Sequence, residues 1–581
     1  MRQGARGVGF SSSPVLSLKL PAWRSKFVVL ALTLMFIALI GKAFWLQVAT
    51  TDFLQEKGAE RYERVLEMPA MRGKIVDRNG VVVASSMPVR AIWAIPEDVD
   101  QTDKNFGQLA RLLAMPERDL RKKLENEDRK FVYLKRQVDL DTADKIAALK
   151  LAGVYQRKEF KRYYPEGETL SHVVGFTNVE EAGQEGIELA QNQTLAGREG
   201  SRRVIKDRLG RVIEESELLR APMDGADVAL SIDSKIQSAT YAALKAAVEE
   251  NKAVAGAALV VDVQTGEILA LANLPSYDPN RRAGLRGEQL RNRVVTDLFE
   301  PGSVMKPVTI ALALESGLVR PDSRFQTAPG KLTIGTATIS DSHAHGMLSV
   351  AEIIEKSSNI GTAKIALQME PKAMWDFYTG LGFGQVPKIG FPGATPGRVR
   401  PYANWRPIEQ ATMSYGYGLS VSLAQIARAY TIFARDGDLL PLSMSKLQAP
   451  PQGVRVISPK TAAEVRAMLE LATGPGGTAP KSQVVGYRVA GKTGTARKQL
   501  HGHYLEGKYI GSFVGFAPAS NPRVIVAVTI DEPSAGKYFG GDVAAPAFSA
   551  ITGATLRLMN VAPDAPFRQT IIPAESVPES M

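Results

Sequence analysis

The hydrophobic pattern changes twice along the chain. Phe27 to Ile40 is apolar and uncharged, and Ala43 to Ala49 extends it past Gly41 and Lys42, about the length that spans a bilayer. From Thr51 to about Asp224, short strand signals alternate with charged, helix-like runs, of which Arg118 to Lys135 reads as a solvated helix face. Arg72-Gly73-Lys74-Ile75-Val76-Asp77-Arg78-Asn79-Gly80 reads as β-branched runs joined through Asn79-Gly80, the preferred pair for a tight hairpin turn. A new pattern begins near Asp227. Val228 to Asp233 leads into a helix, and Ala257 to Val263 turns at Gln264-Thr265-Gly266 into Glu267 to Ala272. This hairpin should open an antiparallel sheet with helices packed on it, making the fold class α+β. Val304 to Leu314 is apolar apart from Lys306 and predicts a helix, while Lys492 to Ala496 predicts an edge strand followed by strands over Ile510 to Ala517 and Arg523 to Ile530. After about Pro563 the chain is rich in Pro, Glu and Ser, the composition of a disordered tail. The expected organisation is a tail over 1–26, a membrane anchor over 27–49, a first module over 50–225, a second over 226–560 and a disordered end over 561–581.

Composition bounds the function. A chain of 581 residues with 45% apolar content exceeds one ordinary core. The absence of cysteine excludes disulfides, thiolate nucleophiles and Cys-ligated metals. A net charge of +11 suits acidic surroundings such as lipid headgroups, and no nucleic-acid-binding motif accompanies it. Arg2, Arg6, Lys19, Arg24 and Lys26 precede the apolar stretch with no acid among them. By the positive-inside rule the first residues are cytoplasmic and the rest periplasmic. Lys42 is costly in a span unless it snorkels or faces a partner helix, whereas Trp45 suits the interface. A cleaved signal peptide is the alternative, but no small-x-small site closes the stretch, so an uncleaved anchor is favoured.

The chemistry lies in three short motifs in order: Ser303-Val304-Met305-Lys306, Ser357-Ser358-Asn359 and Lys492-Thr493-Gly494. A hydroxyl is a poor nucleophile at neutral pH and needs a base, a proton path and a substrate clamp. With Ser303 at or near a helix N-cap, Lys306 falls on the same face, and Pro307 is tolerated in the first turn. Lys306 serves as base if burial and a nearby cation, Lys492, lower its pKa. Ser357 can relay a proton and Asn359 can offer its amide to the substrate backbone, while Ser358 points elsewhere. On the edge strand, Lys492 and Thr493 would bind a terminal carboxylate, Gly494 would allow close backbone approach, and the N–H groups of Ser303 and Thr495 would face an oxyanion. Each motif alone is weak, and Ser443-Met444-Ser445-Lys446 is a second Ser-x-x-Lys match read as structural; the ordered triple is specific.

These motifs resemble those of the penicillin-binding proteins and serine β-lactamases. The Arg72–Gly80 segment is similar to the N-terminal signature of class B penicillin-binding proteins, and Arg162-Tyr163-Tyr164-Pro165, Gly186-Ile187-Glu188 and Asp207-Arg208-Leu209-Gly210 resemble their non-catalytic module. The likeness runs from Met71 to about Phe548. Ser414-Tyr415-Gly416-Tyr417-Gly418-Leu419-Ser420 and Tyr538-Phe539-Gly540-Gly541 look most like the septal cell-division branch, the FtsI family; the elongation-specific branch is the alternative. The resemblance implies a pedestal module carrying a D,D-transpeptidase domain that cross-links peptidoglycan stem peptides through Ser303 and is acylated by β-lactams. It also implies placement in the inner membrane at the septum, with a membrane-embedded polymerase and other division proteins as partners. Tyr417, Tyr538 and Phe539 are candidates for an aromatic wall near the substrate, with core or loop packing the other reading.

The residues call for no cofactor or metal. The five histidines, including the pairs His343/His345 and His501/His503, lack a helical H-x-x-x-H context with an adjacent carboxylate and read as loop residues. A β-lactam hydrolase is disfavoured because no Glu-x-x-Leu-Asn motif is present. A β-lactam sensor would usually need further membrane segments or a cytoplasmic effector. A scaffold role for the first module could coexist with catalysis.

Overall fold

The computed structural model describes residues 22–49, 63–206, 212–500 and 502–565. Its contacts group the chain up to Pro69 with Glu199–Pro222 in one unit, and Ala70–Arg198 with the chain from Met223 onward in the other. In the first unit a helix over Ala22–Phe44 continues into a π-turn over Trp45–Ala49. The stretch Ala22–Val48 has a mean hydropathy of 2.4 and none of it is buried. At 1.5 Å per residue it reaches roughly 40 Å, long enough to cross a membrane. The strand Glu63–Met68 pairs antiparallel with Gly200–Lys206, which pairs in turn with Val212–Arg220. Asp207 to Gly210 lies outside the described residues, as do residues 1–21 and 566–581.

The second unit begins with β1 (Ile75–Val76), β2 (Val82–Ala94), β3 (Val132–Val138) and β4 (Val154–Tyr163). The predicted hairpin joins β1 to β2. Gly80 adopts φ +84° at its turn, and Asp77 Oδ1 accepts the N–H groups of Asn79 and Val81, each at 2.8 Å. The charged run from Arg118 to Lys135 is not one helix. A helix over Glu117–Leu124 buries Leu120 and Leu124, and after a turn the chain becomes β3, burying Leu134 and Val138. The apolar positions Val132, Leu134 and Val138 are separated by even numbers of residues and so share one face of the strand.

Three segments singled out in the sequence meet at Glu188. Its Oε2 receives Arg72 Nε at 2.7 Å and its Oε1 receives Arg162 Nε at 2.6 Å, with all three side chains no more than 2% exposed. Arg72 also donates to Asn192 Oδ1 and to the Glu188 carbonyl. A buried carboxylate between two guanidinium groups is tolerated only when its hydrogen bonds are made, as here. The network ties the start of β1, the end of β4 and the Gly186–Ala190 helix into one piece.

The catalytic part follows β5 (Val228–Ala229), which pairs parallel with β1. It contains α1 (Ser234–Glu250), β6 (Ala255–Asp262), β7 (Ile268–Leu274), α2 (Lys306–Glu315), α3 (Val350–Lys356), α4 (Asn359–Ala366), β8 (Ala490–Leu500), β9 (His503–Ala517), β10 (Val524–Asp531) and α5 (Ala545–Leu558). The last five-stranded sheet is antiparallel in the order β7-β6-β10-β9-β8, with β8 at the edge. Ala258, Val260, Val526 and Val528 pack against α1 and α5. The alternate residues Leu259, Val261, Ile525 and Ala527 face the opposite side, where the helix over Leu423–Ala429 packs on β6 and β10. Both faces are covered, which is why β6 and β10 read as nearly unbroken apolar runs. β8 and β9 are longer than predicted, because beyond Ile510, which pairs with Asp531 at the end of β10, they run on as a polar two-stranded ribbon. Val561 and Asp564, which the sequence placed in the disordered end, are held by hydrogen bonds. Tyr487 OH donates to Val561 O at 2.6 Å and Asp564 accepts the Arg488 N–H at 2.7 Å.

Candidate active site

Ser303 lies inside a 3₁₀ turn, Gly302–Met305, and α2 begins only at Lys306 with Pro307 second. Ser303 is therefore not a helix N-cap. In a 3₁₀ turn residues three apart eclipse one another, so Ser303 and Lys306 still share a side. The turn is pinned from three directions. Gly302 N–H donates to Gly416 O at 3.2 Å, Tyr430 OH donates to Val304 O at 2.8 Å, and a Cβ on Gly302 would come within 3.1 Å of Thr495 O. Ser303 is 4% exposed, and Lys306, Ser357 and Lys492 are fully buried.

α3 ends at Ser357, which takes the left-handed conformation (φ 60°, ψ 40°). For a residue with a Cβ this costs roughly 1–2 kcal/mol. The conformation presents both its carbonyl and its hydroxyl to the lysines. Lys306 Nζ donates to Ser357 O and, at 3.1 Å, to Ser357 Oγ, and Lys492 Nζ donates to the same Oγ at 2.9 Å. The two amines thus lie within about 6 Å of each other. Burial and that proximity both disfavour two charges. Ser358 points away, as the sequence suggested: it caps α4 by accepting Gly361 N–H at 3.0 Å and donates to Asp341 Oδ2 at 2.6 Å. Asp341 Oδ1 also accepts the N–H groups of Asn359 and Ile360, and Asn359 Nδ2 donates to Ser340 O at 3.1 Å.

On β8, Lys492 and Thr493 are linked to each other and, through Thr493 Oγ1, to Thr478 Oγ1 at 2.8 Å. A Cβ on Gly494 would sit 2.4 Å from Ser512 Oγ and 2.8 Å from Pro301 O. Its close approach is thus to the protein's own turn, before any substrate is considered. Gly540 N–H donates to Thr495 Oγ1 at 3.0 Å. Tyr538 stacks on Tyr509 with ring centroids 4.3 Å apart and touches Phe539 at 4.5 Å. Tyr417 sits between Tyr415 and Tyr504 and lines a cleft with Ser340, Thr412 and Arg497. The three motifs are therefore gathered in one place, with Tyr417 on its Asn359 side and Tyr538 and Phe539 next to Gly540.

The penicillin-binding protein transpeptidase domain family matches residues 256–553 and the penicillin-binding protein dimerisation domain family matches residues 67–230. The chain is 45% identical, over 95% of its length and 96% of the relative's, to the probable peptidoglycan D,D-transpeptidase PenA of Neisseria gonorrhoeae. The chain belongs to the class B penicillin-binding proteins. It is also 42% identical to the peptidoglycan D,D-transpeptidase FtsI of Escherichia coli K12, over 94% of this chain and 93% of that one. The solved transpeptidase domain of Burkholderia pseudomallei penicillin-binding protein 3 is 56% identical, covers 58% of this chain and 98% of its own, and superposes with a TM-score of 0.54.

Several groups in this penicillin-binding protein escaped the sequence reading. Asp341, Thr478 and Tyr430 carry no motif and are recruited by the fold. Glu300 had a signal, a lone acid three residues before Ser303. It is buried, which raises its pKa, and its Oε1 accepts Gly418 N–H at 2.7 Å and Tyr504 OH at 3.2 Å. The second Ser-x-x-Lys match is structural: Ser443 and Ser445 bridge to Glu267 and Leu230, and Lys446 donates to Arg78 O at 2.9 Å. His343 and His345 lie in a loop, but two other histidines do not. His172 is in the Ser171–Val174 helix, buried beside Tyr277, and His503 opens β9 because Gly502 (φ +85°) makes the turn tight. His501 lies outside the described residues.

Proposed function

We propose that this chain is a peptidoglycan D,D-transpeptidase that cross-links stem peptides at the division septum through an acyl-enzyme on Ser303. The observation that carries the chemistry is the single hydroxyl, Ser357 Oγ, held by both Lys306 and Lys492. A neutral Lys306 takes the proton as Ser303 Oγ attacks the carbonyl of the penultimate D-Ala. The C–N bond to the terminal D-Ala breaks, and the proton passes through Lys306 and Ser357 to the departing amine. An amine from a neighbouring stem then attacks the ester, loses its proton along the same path, and Ser303 is regenerated. The N–H groups of Ser303 and Thr495 stabilise the oxyanion, Lys492 and Thr493 hold the terminal carboxylate, and Asn359 binds the substrate backbone. Tyr417, Tyr538 and Phe539 wall the substrate. β-Lactams acylate the same serine.

The helix over Ala22–Phe44 is read as a single-pass anchor in the inner membrane with the catalytic part in the periplasm. Septal placement is supported by the near full-length similarity to FtsI of Escherichia coli. It makes a membrane-embedded polymerase and other division proteins the partners. Intact mass of the full-length protein in detergent, incubated with a penicillin, tests the chemistry. A long-lived adduct on the wild type and none on Ser303→Ala is expected; an adduct on both proteins would overturn the assignment. A fluorescent fusion that marks the lateral wall rather than midcell would move the reading to the elongation branch.

A further inference from the structure

The turn over residues 538–543, which carries Tyr538 and Phe539, lies directly on the edge strand that holds the Lys492 motif. It is approached through Gly536 and Lys537, both exposed, and it leads into α5. Two adjacent glycines let it come that close. A Cβ on Gly540 would meet Ser512 O at 2.2 Å and Gly494 O at 2.4 Å, and one on Gly541 would meet Thr478 O at 2.3 Å. Polar contacts then fix the turn in place. Gly540 N–H donates to Thr495 Oγ1 at 3.0 Å, and the Asp542 carboxylate accepts from Lys481 Nζ. Lys481 belongs to the 3₁₀ turn Pro480–Ser482, close behind Thr478, whose hydroxyl meets that of Thr493 at 2.8 Å. This second turn is a fixed post. Gln483 beside it donates through Nε2 to Thr473 O at 2.7 Å, and its carbonyl accepts from Ser549 of α5 at 2.6 Å.

These contacts close a ring. It runs from Thr493 to Thr478, along the chain to Lys481, across the ion pair to Asp542, and back through Gly540 to Thr495. The three threonines are buried, so a shift of the turn passes to them rather than to solvent. The side chains of Lys481 and Asp542 are 26% and 15% exposed, and salt screens such a pair less than one on the open surface. We propose that Lys481 and Asp542 are positioning residues for the reaction. Their ion pair clasps the 538–543 turn onto β8 and thereby fixes the Thr493 hydroxyl where the substrate's terminal carboxylate arrives; neither residue touches the substrate. This rests on the reading of Ser303 and Thr493 above and adds the part of the fold that holds the carboxylate clamp in register.

The test uses the full-length protein in detergent with benzylpenicillin, which carries a carboxylate, and with its methyl ester, which does not. Rapid mixing with intact-mass detection over a range of drug concentrations separates the dissociation constant of the first complex from the acylation rate constant. Lys481→Met should weaken the first complex with benzylpenicillin by about 10-fold and leave the acylation rate constant within about 2-fold of the wild type. The methyl ester should acylate both proteins alike. Exchanging the pair, Lys481→Asp together with Asp542→Lys, should restore the first complex, and Asp542→Asn gives the same reading if Lys481→Met does not fold. An unchanged dissociation constant in these single variants overturns the proposal while sparing the Ser303 reading. So does an equal loss for benzylpenicillin and its ester, or an exchanged pair no better than the single variants. Absence of any adduct on the wild type overturns the Ser303 reading and the clasp with it.

Discussion

A Cβ on Gly416 would lie 2.2 Å from Gly302 O and 2.4 Å from Gly302 N, on a residue whose φ is already +92°. Neither neighbour is a flexible side chain, so the backbone of the Ser303 turn must move. Gly416→Ala should cost roughly 2–3 kcal/mol and should slow penicillin acylation as well, because the displaced group carries the nucleophile. Gly317→Ala is the control. Gly317 has φ +71° and open space around it, so that variant should lose only about 1 kcal/mol of backbone preference and acylate at the wild-type rate. Thermal melts and single-turnover acylation kinetics read both effects; equal acylation by the two variants would mean that Gly416 does not hold the turn. The contact also explains a limit of the sequence. Ser303, Lys306, Ser357 and Lys492 are legible because their chemistry demands particular side chains at fixed spacing. The 3₁₀ geometry of Ser303 is not legible, since it is imposed by a glycine far along the chain.

Capping separates what an element does for stability from what it does for the site. Ser358 Oγ accepts Gly361 N–H at 3.0 Å and holds Asp341 Oδ2 at 2.6 Å, so it both starts α4 and fixes the loop carrying Asn359. Ser458 does the first job for the helix over Pro459–Thr473, with Thr461 N–H at 3.2 Å. Either serine changed to alanine should cost about 1–2 kcal/mol. Only Ser358→Ala should also slow acylation, since Asn359 N–H shares the Asp341 carboxylate. Denaturant midpoints and acylation rates of the two variants decide it, and a matched slowing in both would remove the distinction. Elements announced by local periodicity, such as β6, β10 and α2, were legible in the sequence. The α3–α4 junction was not, because its direction depends on Ser357 being left-handed and on Asp341 arriving from elsewhere in the fold.

The non-catalytic and catalytic parts of the second unit are joined by polar contacts as well as by chain connectivity. Asp77 Oδ2 accepts both the N–H and the hydroxyl of Ser234 at the start of α1, and Arg78 pairs with Glu267. His172 is a third tie. It packs edge-on against Tyr277, and its Nε2 donates to Gln289 O at 2.8 Å in the segment that continues to Ser303. Burial first, with Arg293 nearby, pushes its pKa down to about 4 from 6.5. Between those values the unfolded chain binds a proton that the folded one refuses. Its contribution to stability is therefore intact above about pH 6.5, is lost at up to about 1.4 kcal/mol per pH unit as pH falls, and levels off below about pH 4. Buried carboxyls with raised pKa values, among them Glu181, Glu300 and Asp531, act with the opposite sign. Total stability therefore hides the histidine, and a difference isolates it. His172→Gln keeps an N–H donor without the titration, so its urea midpoint should fall less than that of the wild type between pH 6.5 and 4. If the two proteins lose stability in parallel over that window, the tie at His172 is not a buried neutral imidazole.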